Sequence, residues 1–297
     1  MTPGNSVRGG ISGSRLTLFL GVLLVSMAGF VGFSWISGRS FLSLLVPYMF
    51  TPMIAALIVC YWDGISLSTV GLRVGRARWL VVAVVIVFPI VGAVTAISTG
   101  IPGVAFDPAA SDVPGLDLTA GLHEVLPIFG LLLLTGITVN SLVALGEEFG
   151  WRGYLLWELA PLGFWRASFG IGVVWGLWHT PGIVAGHNYP SFPVLGVVLM
   201  TLFCTLLAPL YTYLVIRSRS VLPAAVFHGV FNTFALTIAV TSTPDTVVRE
   251  LVASEAGLVG LVVFVLIAVV IAIAGPPRLT REFARKRASR PSVASTV

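Results

Sequence analysis

The sequence predicts an all-α fold: a polytopic membrane helix bundle with eight transmembrane helices and both termini cytoplasmic. Three observations lead there. Of the 297 residues, 57% are hydrophobic and only 10% charged, with a mean hydropathy of +1.00. A soluble domain is nearer half apolar and a quarter charged. The apolar residues fall in runs of about twenty, the length that crosses a bilayer as a helix; a barrel would show alternating segments of about ten. Finally, the basic residues gather at alternate ends of these runs.

Residues 1–14 are Gly/Ser-rich and read as a disordered tail. Residues 15–275 form one membrane domain. Its spans are expected near 16–36, 41–62, 79–99, 124–159, 167–185, 194–216, 221–240 and 257–274. Pro47 and Pro52 should kink the second. Residues 276–297 are a basic, Ser-rich cytoplasmic tail suited to anionic lipid. The first run is too long for a signal-peptide core and lacks a small-residue cleavage site, so it reads as a retained span. With eight spans, 15 of the 17 Lys and Arg residues lie on the cytoplasmic side, and only Arg39 and Arg249 fall outside. Seven spans would break this alternation. The net charge of +5 therefore reflects orientation in the cell membrane, as a multi-pass protein, and does not point to nucleic acid. Cys60 and Cys204 both fall in spans without metal-ligand spacing and read as inert buried thiols.

Ionisable groups inside spans are costly and mark candidate sites. Three clusters qualify. In GEEFGWRGYL, Glu148 and Arg152 are four apart, the order and spacing of a helical ion pair. Glu147 is rotated by about 100° and points elsewhere. In WGLWHTP, His179 follows Trp175 by four residues, and Pro181 should disturb the helix just beyond, freeing a carbonyl near the imidazole. In FHGVFN, His228 and Asn232 share a face and suit a developing oxyanion. By hydropathy alone the fourth span would end near Leu145, leaving Glu147 at the water interface. Continuing the helix to Leu159, with Pro161 and Gly163 as its stop, sinks Glu147 roughly 18 Å below the helix end. His179 and His228 lie roughly 20 and 13 Å deep by the same rise, so the longer helix brings the clusters to similar depth. Asn140, seven before Glu147, either lines the same cavity or makes an interhelical hydrogen bond. Trp175 is a cavity-lining candidate. His123 and His187 read as solvated residues with no site role.

These clusters resemble the CAAX protease and bacteriocin-processing family of intramembrane proteases, also called CPBP or Abi. The family pattern is a Glu-Glu pair with Arg four residues on, here Glu147, Glu148 and Arg152. An aromatic residue four before a histidine follows, here Trp175 and His179, with Trp in place of the commoner Phe. His-x-x-x-Asn completes it, here His228 and Asn232. The resemblance covers about residues 120–240. It implies a helical-membrane endopeptidase in which Glu147 is the general base for a water, assisted by His179. In that reading His228 and Asn232 stabilise the oxyanion, while Glu148 and Arg152 support the site. The family is often labelled metal-dependent. No cofactor is required by the favoured glutamate/histidine reading, yet Glu147, His179 and His228 would also offer one Zn²⁺ three ligands and an open position.

The leading expectation is therefore cleavage of a membrane-associated peptide or protein near the cytoplasmic leaflet, inside the lipid bilayer, with no nucleic-acid partner. Two other classes use the same residues. One is a proton-coupled transporter, against which the lack of a visible internal repeat counts. The other is a non-catalytic immunity or scaffold membrane protein of the same fold, against which the complete motif set counts.

Overall fold

A computed structural model describes residues 10–107, 119–237 and 241–285. The disorder expected of residues 1–9 and 286–297 lies outside them. The described chain is all-α apart from one short antiparallel pair, β1 (Ala105–Phe106) with β2 (Thr241–Ser242), in register Ala105↔Ser242.

Five helices are long and apolar enough to cross a membrane: α1 (Gly13–Ser37), α2 (Phe41–Trp62), α3 (Arg78–Ser98), α4 (Leu122–Leu162) and α7 (Pro193–Ser218). The other three expected spans are shorter. The fifth is α5 (Phe164–Trp178) followed by α6 (Thr180–Val184), interrupted at His179. The seventh is α8 (Leu222–Thr237), whose expected continuation to residue 240 lies outside the described residues. The eighth is α9 (Leu258–Ala274). Local chemistry sets the ends. Ser12 caps α1 by accepting from the Arg15 N–H, and Gly38 closes it at φ +68°. Pro193 opens α7, where its missing N–H costs nothing.

The long fourth helix is present. α4 runs on past Leu145, through the whole first motif, to Leu162. Two π-helical stretches lie in it, Gly136–Asn140 and Phe149–Leu155. Such wide turns are often found at functional sites, and here they flank the Glu147–Glu148 pair.

Without a hydrophobic drive between helices in lipid, close backbone approach holds the bundle. Gly229 shows this on α8. A Cβ there would sit 2.3 Å from the Ser141 backbone nitrogen of α4. Gly172 on α5 meets α7 as closely, with an added Cβ 2.4 Å from Thr205 Cα.

The two ends of the bundle differ. At one, the 63–77 loop meets the α7–α8 turn through Arg76 N–H to Ser218 C=O and Val221 N–H to Gly71 C=O. The start of α1 and residues 279–284 join it. Fully buried Glu158 accepts from Arg15 Nε at 2.7 Å and from Arg281 Nη2 at 2.8 Å, and both guanidiniums lie over the Trp157 ring. Arg73 also reaches the Ala284 carbonyl. The segment expected to be a free tail is thus packed as far as residue 285, with Leu279, Arg281, Phe283 and Ala284 buried. Likewise Gly10–Ser14, expected as tail, forms the cap and first turn of α1: the Ser12 N–H binds Glu158. At the opposite end, Tyr189 donates to the Ala256 carbonyl and Ser191 binds Glu250.

Gly229→Ala should force α8 away from α4 and destabilise the protein by about 1–3 kcal/mol, the usual cost of overpacking. A fall in the Tm of the purified protein in detergent checks this.

Candidate active site

The break between α5 and α6 positions His179. Its own N–H bonds Gly176 C=O rather than Trp175 C=O, so the Trp175 carbonyl loses its usual helical donor. The His179 ring takes that place, Nδ1 to Trp175 O at 2.8 Å. A carbonyl oxygen only accepts, so Nδ1 carries the proton and Nε2 is left with a lone pair. Pro181 cannot donate to Leu177 C=O, which Thr180 Oγ1 serves instead at 2.6 Å. The carbonyl that Pro181 leaves without a donor is thus taken by Thr180, and it is the Trp175 carbonyl that orients the imidazole.

Glu147 and Glu148 diverge as their spacing requires. Glu148, fully buried, accepts from Arg152 Nη1 at 3.1 Å and pairs with His228 Nδ1 at 2.9 Å. It thus holds His228 as well as Arg152, a contact between residues 80 apart in sequence. Arg152 lies between two aromatic faces, 4.0 Å from the Trp175 centroid and 4.2 Å from that of Tyr211. Glu147 takes a different partner: Trp175 Nε1 donates to its Oε2 at 2.6 Å. Trp175 is the hub of the site, since its ring also lies 5.7 Å from that of His179 and 5.8 Å from that of His228.

Glu147, Trp175, His179, His228 and Asn232 line one cavity of about 170 Å³. Glu148 and Arg152 stand behind it and are not among its lining residues. Asn140 is not at the cavity either. Its side-chain amide donates to Thr233 Oγ1 at 2.8 Å, realising the interhelical alternative.

Several lining residues escaped the sequence reading. His187, read as solvated, is half-buried at the cavity, and burial lowers the pKa of its ring. Cys204, read as inert, stands in the wall with Sγ 4.0 Å from His179 Nδ1. Glu255, in the turn before α9, also lines it. None of the three belongs to a motif, and nothing in the sequence brings them to α4.

A metal was the alternative use of Glu147, His179 and His228. Among the described residues, no group of three or more His, Cys, Asp or Glu side chains is placed to hold an ion. His228 points one ring nitrogen at Glu148 and Glu147 is engaged by Trp175. Glu147, His179 and His228 are not gathered as a ligand set in this arrangement.

An all-helical bundle of apolar helices with buried acid, imidazole and amide groups around one cavity defines a membrane protein with an internal polar site. Residues 128–234 match the family model described as "Type II CAAX prenyl endopeptidase Rce1-like", the same family that the three motifs resemble. The matched stretch holds all three motifs and leaves the first three long helices and the last outside it. A search of curated proteins gave no match.

Desolvation pushes the Glu255 carboxyl up to about 7, against the opposing hydrogen bond to its own backbone. A carboxylate whose folded value is raised costs stability as pH climbs from its unfolded value through its folded one. Glu255→Gln removes that cost, so the Tm gain over the parent should be larger near pH 8 than near pH 5.5. Thermal unfolding at the two values reads the difference.

Proposed function

We propose that the protein is an intramembrane endopeptidase that hydrolyses a peptide bond by a water activated between Glu147 and His179. The observation that carries this is the shared cavity, into which α4, the α5–α6 break and α8 each deliver a motif residue. The family match over 128–234 supports the same reaction class.

The roles follow from the hydrogen bonds. Trp175 fixes Glu147 through Oε2, leaving Oε1 to take a proton from the attacking water. His179, with its proton on Nδ1, offers Nε2 as a second acceptor for that water. Peptide-bond attack places negative charge on the carbonyl oxygen, and the Asn232 amide donates to it. His228 holds a proton on Nδ1 toward Glu148. A second proton on Nε2 makes it a donor to the same oxyanion, and the Glu148 carboxylate stabilises the resulting cation. Proton delivery to the leaving amine then falls to Glu147, which holds the proton taken from water. Preorganised donors of this kind avoid reorganisation during the reaction.

Glu147→Gln keeps an oxygen for Trp175 but removes the base. Cleavage of a membrane peptide substrate by the purified protein should fall by roughly 10²–10⁴-fold. Asn232→Ala should cost roughly 10²–10³-fold in kcat. Parent-like cleavage by Glu147→Gln would sink the mechanism.

A further inference from the structure

The cavity has a direction. Tyr211 and His228 form its inner wall beside Glu147. Beyond them lies a layer of fully buried side chains, among them Trp151, Arg152, Tyr154, Trp157 and Phe227. The Glu158 clasp with Arg15 and Arg281 closes that end of the bundle further. In the other direction the walls are Leu45, Gly182, His187, Asn188, Glu255 and Ala256. They belong to the end where Tyr189 meets Ala256, and His187, Asn188 and Glu255 are all part-exposed there.

The charges label the two ends. Arg15, Arg73, Arg76, Arg217, Arg278 and Arg281 are among the basic residues at the sealed end. Among the described residues, only Arg39 and Arg249 are basic at the end with the cavity mouth, where residues 100–107 and 119–123 carry no Lys or Arg. Short basic loops stay cytoplasmic. We infer that the cavity opens to the non-cytoplasmic face, so that this enzyme takes a peptide segment presented at the outer surface of the membrane. A C-terminal tail displayed in the cytoplasm meets the sealed end instead.

The inference rests on the cavity being the reaction site, but access can be read without any cleavage. In a Cys60→Ala, Cys204→Ala background, three single cysteines are placed: Asn188→Cys at the mouth, Phe203→Cys deeper in the cavity wall, and Ser66→Cys in the exposed 63–77 loop. Intact cells are treated with a charged, membrane-impermeant methanethiosulfonate. Asn188→Cys and Phe203→Cys should react in intact cells, and Ser66→Cys only after the membrane is opened. Reaction of Ser66→Cys in intact cells, or of Phe203→Cys only from the cytoplasmic side or from neither side, overturns the inference. Sidedness obtained this way stands even if Glu147→Gln retains cleavage, so the two proposals fail separately.

Discussion

The site depends on one buried interaction, the Glu148 carboxylate shared between Arg152 and His228. An isolated carboxylate or guanidinium in a bundle core costs several kcal/mol in lost hydration. Here each charge has the other within hydrogen-bond distance, and the cation is further screened by the faces of Trp175 and Tyr211. Such contacts with desolvated cations reach about 2 kcal/mol. The same carboxylate fixes the His228 ring. A pair that looks like a structural clasp along one helix therefore aims a second helix's imidazole at the cavity.

This arrangement frees Glu147. With Arg152 committed to Glu148, the neighbouring carboxylate makes no salt bridge among the described residues and accepts from a neutral donor, Trp175. Trp175 in turn gives up its carbonyl to His179. One aromatic residue thus couples the acid of α4 to the imidazole at the α5 break. It does so through opposite ends of its own structure, ring nitrogen and backbone oxygen. The motif residues act as a unit because each holds the next.

Away from the site, the bundle carries a second buried cluster at its Arg-rich end. Glu158 gathers Arg15 and Arg281 from opposite ends of the chain and both stack on Trp157. It ties the outermost segments to the helix that bears Glu147 and closes the bundle where the cavity does not open. Sequence reading assigned Gly10–Ser14 and 276–285 to tails because Gly, Ser and Arg dominate them. The four apolar or basic positions that pack are too few to show a period.

What the sequence determined by itself was everything set by spacing along one helix. The Glu148–Arg152 pair, the divergence of Glu147, the shared face of His228 and Asn232, and the disturbance at Pro181 all follow from 3.6 residues per turn and the missing proline N–H. The continuation of α4 was legible because it brings Glu147 to the depth of His179 and His228, although a buried carboxylate costs more than one at an interface. The tertiary structure decided what comes from different helices. It gave His228 to Glu148, Trp175 to Glu147 and Asn140 to Thr233, and it brought His187, Cys204 and Glu255 to the cavity. It also decided which end of the bundle is sealed. Those pairings depend on how helices rotate and approach, which is set by close contacts such as Gly229 on Ser141 and has no signature along the chain.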